Sequence, residues 1–139
     1  EEAGDATGDT GTERVLVVED DELVRRFVVR ALREAGYDVR SAPSGDAALE
    51  AIGADSAFDL VLTYVVMPGL SGHDLAERLA LAHPHTPVLF MSGYIDDHLL
   101  QETFEDRPEN LLRKPFTSTQ LRISVRTILD RQAASTGQD

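Results

Sequence analysis

Five short apolar runs alternate with segments of helical periodicity, and this alternation restricts the fold of the chain more than any other feature. The first run, Val15–Val18, is uninterrupted, which is typical of a strand buried on both faces of a sheet. The next segment, residues 21–35, repeats apolar residues at helical spacing and stops before Gly36. Further strands are predicted at residues 39–42, 58–63, 88–91 and 111–112, each followed by a helical segment. Five β–α units joined by right-handed crossovers predict an α/β fold with a parallel sheet covered on both faces.

Hydroxyl side chains mark where several helices begin, because such groups accept hydrogen bonds from free backbone amides. The predicted capping residues are Ser44, Ser71 with Asp74 three positions later, and Thr117 with Gln120. A shorter helix is predicted near residues 95–104. Its place is between the fourth and fifth strands.

The bulk composition excludes several classes of protein. A length of 139 residues suits one domain, and the absence of cysteine excludes disulfides and thiolate metal sites. A net charge of −12 argues against a nucleic-acid surface, which depends on Lys and Arg. No apolar run approaches the ~20 residues that a membrane helix needs, and no secretory signal is evident. We therefore expect a cytoplasmic protein without direct membrane contact.

Both ends of the chain differ in composition from its centre. Residues 1–13 are acidic and rich in glycine and threonine, with no large apolar side chain to bury, so they are predicted to be a disordered linker. Residues 132–139 are predicted to be a flexible tail. The folded domain is expected to span residues 14–131.

Polar side chains follow four of the predicted strands at the point where each strand ends. Glu19 and Asp20 follow the first strand, Tyr64 the third, Ser92 the fourth and Lys114 the fifth. In open parallel sheets, ligands bind beyond the carboxyl ends of the strands, so these groups are expected to meet at one edge. Carboxylates suit a divalent cation, and a lysine with a hydroxyl suits phosphoryl oxygens. Together, these groups are the ones that phosphoryl transfer requires. The acidic turn could also be only the start of a helix, because acidic side chains favour helix N-termini.

Four segments occur in the order and at the spacing of the motifs of two-component response-regulator receiver domains, which the chain resembles over about residues 14–131. They are VLVVEDDELVR (15–25), DLVLTYVVMPGLSG (59–72), PVLFMSGY (87–94) and LLRKPF (111–116). The resemblance implies a single flavodoxin-like (βα)5 domain, doubly wound, with strand order 2-1-3-4-5. The opening GTERVLVVEDDE is most similar to receivers attached to hybrid histidine kinases.

The resemblance also implies a role for each residue at the strand ends. In such domains Mg²⁺ is held by two acids, here Glu19 and Asp20, and by a backbone carbonyl, here that of Val66. Ser92 would contact the phosphoryl group and Lys114 would pair with it. The Lys114–Pro115 bond is usually cis in this family.

One position departs from the family pattern in a way that affects its chemistry, because Tyr64 stands where the phosphoacceptor aspartate is expected. A phenol with a pKa near 10 is a poor nucleophile beside a metal, and losing the carboxylate should weaken Mg²⁺ binding. Asp59 lies ~16 Å upstream along the strand and cannot replace it. Leu111 stands where many relatives have a switching aromatic residue, so that switch is doubtful here.

We therefore expect a non-catalytic receiver domain of a two-component phosphorelay that acts as a phosphorylation-independent interaction or regulatory module. Two alternatives stay open: an ordinary phosphorelay receiver disabled by substitution of its aspartate, and a pseudo-receiver that binds a small ligand. Expected partners are a histidine kinase, a phosphotransfer domain or an output domain. The chain is expected to be monomeric, or weakly dimeric through the fourth predicted helix, the fifth strand and the last helix. The parent polypeptide can be a histidine kinase.

Overall fold

The computed structural model describes residues 10–54, 58–65, 67, 69–93 and 111–137. Five strands and four helices are assigned within them: β1 (Arg14–Val18), α1 (Glu22–Glu34), β2 (Asp38–Ala42), α2 (Gly45–Ala54), β3 (Leu60–Tyr64), α3 (Gly72–Ala82), β4 (Val88–Ser92), β5 (Leu111–Arg113) and α4 (Ser118–Gly137). The helix predicted near residues 95–104 lies outside the described residues. No helix in the described part of the chain is both long and apolar enough to cross a bilayer.

The strands form one parallel sheet in the order β2-β1-β3-β4-β5, which confirms the predicted fold. Alternate residues of the central strands face opposite sides, so each side carries its own apolar core. Val15, Val17, Leu60 and Leu62 pack with α1 and α4 on one side. Leu16, Val18 and Val61 pack with α2 and α3 on the other side. Burial on both faces explains why the central strands are uninterrupted apolar runs.

The helix boundaries follow the residues that predicted them. Ser71 Oγ accepts from the backbone N–H of Asp74, whose side chain accepts from the Ser71 N–H, which completes a capping box. Thr117 and Gln120 form the same reciprocal pair at the start of α4, and Ser44 Oγ accepts from the Ala47 N–H at the start of α2. Gly36, at φ 105°, follows the end of α1 in a left-handed conformation that favours glycine.

The two ends of the domain differ from what composition indicated. The final helix continues to Gly137, six residues past the predicted end of the domain. Residues 10–13, predicted to be linker, are bound to the domain where the structure describes them. Gly11 N–H donates to the Ala35 carbonyl, and Arg126 binds Glu13 and the Thr10 carbonyl. Composition missed these contacts because they are polar, and those of Arg126 join segments more than 100 residues apart.

Candidate functional site at the carboxyl ends of the strands

The turn after β1 gives each of its three acids a different environment. Glu19 is fully buried, and its Oε2 accepts from the Asp21 N–H at 3.2 Å. Asp21 caps α1, because its Oδ1 accepts from the amides of Leu23 and Val24 at 2.9 and 3.3 Å. The Asp20 side chain is exposed. The reading of this turn as a helix start therefore applies to Asp21, while Glu19 faces the interior of the site.

A residue that the sequence did not single out holds this turn in place. Arg25, one turn into α1, donates from Nη1 to the Glu19 carbonyl at 2.8 Å. This contact fixes the backbone that directs the Glu19 side chain. Nothing in the spacing of the two residues predicts it, since it joins a side chain to a backbone oxygen across a helix start.

Lys114 comes from β5 and meets the acid from β1. Its backbone N–H donates to the Ser92 carbonyl at 2.7 Å, which extends the pairing of β4 with β5. The Lys114–Pro115 peptide is cis. The ammonium Nζ lies 2.9 Å from Glu19 Oε1, in an ion pair between a side chain that is 20% exposed and one that is fully buried. The predicted convergence of these two residues is thus present in the structure.

Tyr64 ends β3 and is half-buried between the two apolar cores, which both contact it. Lys114 Nζ lies 3.6 Å from the centroid of the Tyr64 ring, a short cation–π contact. The ammonium is therefore held between a buried carboxylate and an aromatic face. The backbone of Tyr64 also has a close neighbour in Gly72, which lies so near the Tyr64 carbonyl that a Cβ at position 72 would not fit.

Two buried oxygens at this edge lack well-directed hydrogen bonds. Ser92 Oγ is fully buried, and neither it nor Glu19 Oε1 has a hydrogen-bond partner among the described residues. Lys114 and Glu19 therefore form an ion pair, because the two groups are close but poorly aligned for a hydrogen bond.

Burial raises the pKa of the Glu19 carboxyl above its ordinary value of 4.5. The adjacent ammonium of Lys114 and the hydrogen bond from the Asp21 amide oppose the rise in this pKa. The opposing effects follow from the geometry, because the carboxylate is removed from water but keeps one cation beside it.

The remaining candidates are not brought into this group. Asp59 lies at the opposite edge of the sheet, where its Oδ2 accepts from the Arg14 N–H at 2.9 Å. The backbone of Val66 lies outside the described residues. Across the described part of the chain, no three His, Cys, Asp or Glu side chains are placed to hold a metal ion. The side chains that do meet are those of Glu19, Tyr64 and Lys114, and Ser92 contacts Lys114 through its backbone carbonyl.

Comparison with known proteins agrees with this geometry. The family model described as "Response regulator receiver domain" matches residues 15–126. The chain is 38% identical over 128 residues to the sensor kinase CckA of Brucella abortus, an alignment that covers 91% of the chain but only 14% of CckA. It is 37% identical over 103 residues to the response regulator receiver protein CpdR of the same organism, covering 74% of the chain and 85% of CpdR.

Among solved structures, the chain is similar to a response regulator receiver domain protein from Clostridium thermocellum. The TM-score is 0.79 at 25% identity, over 88% of this chain and 98% of that one. The five-stranded order, the strand-end group and the family match lead to one assignment: this chain belongs to the response regulator receiver domains of two-component signalling.

Proposed function

We propose that this receiver acts without aspartyl phosphorylation, as an interaction or regulatory module of a two-component system. The observation that supports the proposal is the position of Lys114 Nζ, 2.9 Å from Glu19 Oε1 and 3.6 Å from the Tyr64 ring centroid. In this arrangement a phenol takes the position expected for the acceptor carboxylate. The Lys114 ammonium is already paired with Glu19 of the same chain.

The chemistry of the phenol argues against transfer from phosphohistidine. Transfer to a receiver needs an ionised oxygen nucleophile, and a tyrosine hydroxyl with a pKa near 10 is almost wholly protonated at neutral pH. The ring also fills volume beside Lys114 that a carboxylate would leave open. Receiver domains are in general non-catalytic modules that interact with histidine kinases and with phosphotransfer or output domains. Tyr64 is expected to leave those contacts available while removing the phosphoryl signal.

Receiver domains usually bind Mg²⁺ at the phosphorylation site, and the described residues here do not fit that ion. Glu19 is paired with Lys114 and Asp21 caps α1, which leaves Asp20, an exposed side chain, as the one acid of the turn without such a role. A hard cation prefers several oxygen ligands, and the carboxylate normally contributed by β3 is replaced by Tyr64. We infer that Mg²⁺ binds this chain weakly at most.

A second candidate is an ordinary phosphorelay receiver in which position 64 held aspartate before substitution. The buried Ser92 Oγ, for which the described residues supply no hydrogen-bond partner, favours it, because a hydroxyl in that place suits a phosphoryl oxygen. The match to a short part of CckA is compatible with a receiver within a larger sensor kinase, which is the parent we propose.

Reversion distinguishes these two candidates. The chain, Tyr64→Asp and Tyr64→Asn would each be incubated with Mg²⁺ and a small radiolabelled phosphodonor, and label would be measured after hydroxylamine treatment. We expect no hydroxylamine-sensitive label on the chain or on the asparagine control. Rapid labelling of Tyr64→Asp would support the second candidate. An unlabelled, folded Tyr64→Asp would indicate that the site as a whole has diverged, and a labile adduct on the chain itself would refute the first.

A further inference from the structure

The edge of the sheet opposite the candidate site carries a second group of polar contacts, centred on one arginine of the last helix. The Arg126 side chain of α4 is 14% exposed and binds the Glu13 carboxylate at two points, with Nη1 donating to Oε1 at 3.0 Å and Nη2 to Oε2 at 2.7 Å. Its Nη1 also donates to the Thr10 carbonyl at 2.9 Å. Two-point contacts between a guanidinium and a carboxylate are strong for polar interactions, because both groups are charged and their geometries match. Arg126 therefore holds both ends of the segment at residues 10–13.

We call this segment, residues 10–13, the clasp, and its backbone is also fixed to the domain. The Gly11 N–H donates to the Ala35 carbonyl at 3.1 Å, directly after α1 ends. The Glu13 carbonyl accepts from the Asp38 N–H at 3.0 Å, where β2 begins. The clasp thus joins the end of α1 and the start of β2 to the last helix, across 113 residues of sequence.

The clasp lies tightly against a part of the core that α4 helps to form. Gly11 leaves no room for a Cβ, which would overlap the Tyr37 ring and the ion pair described above. Tyr37 is 3% exposed, and its hydroxyl accepts from Arg126 Nη1 at 3.3 Å. The same core cluster contains Val125 and Leu129 of α4. Release of the clasp would therefore uncover an aromatic ring at the edge of this cluster.

The contacts of the clasp allow it to open while the rest of the domain stays folded. Thr10 and Thr12 are exposed, and the four residues have no large apolar side chain to bury. Segments held mainly by polar contacts open at a lower free energy than the core, because water can replace those contacts. Water reaches the pair of Glu13 with Arg126, since the Glu13 side chain is 30% exposed.

The last turns of α4 lie beside the clasp. Leu129 is the last residue of α4 in the apolar core among the described residues. Beyond it, Gln132 Nε2 donates to the His85 carbonyl at 2.6 Å. Glu13 lines the same open groove of about 360 Å³ as Leu129 and Gln132. Withdrawal of Glu13 would therefore remove one wall beside these turns and leave them less well packed.

We propose that the clasp is a releasable coupling that ties the order of the last turns of α4 to the position of the segment entering the domain. With the clasp closed, Arg126 fixes the helix to the N-terminal segment. Displacement of that segment breaks these contacts and loosens the end of the helix. The coupling gives the receiver an input at the edge away from position 64. It does not depend on whether that position accepts a phosphoryl group, so its test is independent of the reversion experiment.

Two variants of the full chain open the clasp without changing any residue of α4. Gly11→Ala does so by steric overlap, and Glu13→Lys by placing a second cation beside Arg126. Incorporated 3-fluorotyrosine gives three ¹⁹F NMR signals, since the chain has three tyrosines, and Tyr37→Phe assigns the signal of interest. We expect the Tyr37 signal to shift in both variants. Thr12→Ala, which alters an exposed side chain of the clasp and keeps the backbone N–H, should leave that signal in place.

Amide hydrogen exchange then measures the order of α4. In Gly11→Ala and Glu13→Lys, the amides of the last turns of α4 should exchange roughly tenfold faster or more, the change that follows from the loss of about one hydrogen bond to a charged group. In Thr12→Ala, these amides should exchange at the rate seen in the chain.

A comparison variant separates local loosening of α4 from a general loss of stability. Ile52→Val changes the core on the other side of the sheet and lowers the stability of the whole domain. It should speed amide exchange in the central strand β3, which reflects global unfolding, and leave the last turns of α4 unchanged.

The combined measurements decide the proposal. It is overturned if a variant that shifts the Tyr37 signal leaves exchange in the last turns of α4 at the rate seen in Ile52→Val, since the clasp would then be a bound tail without influence on the helix. It is equally overturned if neither Gly11→Ala nor Glu13→Lys changes the Tyr37 signal or the exchange of α4.

Discussion

Replacing Lys114 by methionine removes the cation that faces the buried carboxylate of Glu19. Glu19 is fully buried and Lys114 is 20% exposed, so the pair is mostly removed from water. Removing one member of a buried pair typically costs about 3–5 kcal/mol. Partial exposure of Lys114 places this case at the lower end, about 3 kcal/mol at pH 7. For a domain of this size, such a loss lowers Tm by roughly 10 °C.

The pH dependence of this loss identifies its cause. Burial raises the pKa of Glu19 in the folded state above its ordinary 4.5, and removing Lys114 raises that pKa further. The folded state then binds more protons than the unfolded state at pH values between the two pKa values, so stability falls as pH rises through that window. The penalty of Lys114→Met should therefore be largest near neutral pH and should shrink as pH falls toward 4.5, where Glu19 is protonated in the folded state.

Urea unfolding at several pH values measures both effects, and a double variant provides the matched test. Glu19→Gln/Lys114→Met should recover much of the stability lost in the single variant, because no buried charge is then left alone. Arg78→Met, at an exposed cation of α3, should change stability by less than about 0.5 kcal/mol. The reasoning is refuted if Lys114→Met loses the same free energy at pH 4 and pH 7, or if the double variant is less stable than the single one.

Two further perturbations test other contacts. Arg126→Gln should lower stability by about 1–2 kcal/mol, because Nη2 lies 2.7 Å from Glu13 Oε2 and Nη1 donates to the Thr10 carbonyl. The Arg126 hydrogen bond lowers the pKa of Glu13 below 4.5, so in the chain this stabilisation is lost as pH falls through the lowered pKa. In Arg126→Gln that contribution is absent, so the free energy of unfolding should depend less on pH at acid pH. Urea titrations between neutral and acid pH measure this change in the free energy of unfolding with pH. The same pH dependence in the chain and in Arg126→Gln would contradict the prediction. Gly72→Ala should cost about 1–3 kcal/mol in urea unfolding, because its Cβ would overlap the Tyr64 carbonyl oxygen. Gly53→Ala in α2, with open space around the added Cβ, should be neutral or stabilising by up to ~1 kcal/mol. Equal losses of unfolding free energy in the two alanine variants would contradict the predicted clash at Gly72.

The strands and helices could be predicted because their causes are local in the sequence, whereas the strand order was implied by the resemblance to receiver domains. Strands buried on both faces produce uninterrupted apolar runs such as Val15–Val18, and capping residues such as Ser71 mark helix starts within a few positions. The meeting of Glu19 with Lys114 followed from a topological rule, since both come directly after parallel strands of one sheet.

Other contacts could not be predicted because they join distant segments through polar side chains. Arg126 binds Glu13 across 113 residues of sequence, and no periodicity relates the two. Arg25 reaches a backbone carbonyl, which no residue type signals. Polar contacts depend on rotamers and on distances that exist only after the apolar core has formed. The segment at residues 10–13 was therefore predicted to be linker although it binds the domain.

We propose that Glu19 and the Tyr64 ring hold Lys114 in contacts that replace its pairing with a phosphoryl group. Lys114 is the only lysine in the chain, so a lysine labelled with ¹³C at Cε gives one assignable side-chain NMR signal. The account predicts that Mg²⁺ with beryllium trifluoride, a phosphoryl mimic, leaves this signal unchanged in the chain and shifts it in Tyr64→Asp. A saturable shift in the chain itself, at a concentration similar to that required by Tyr64→Asp, would contradict it.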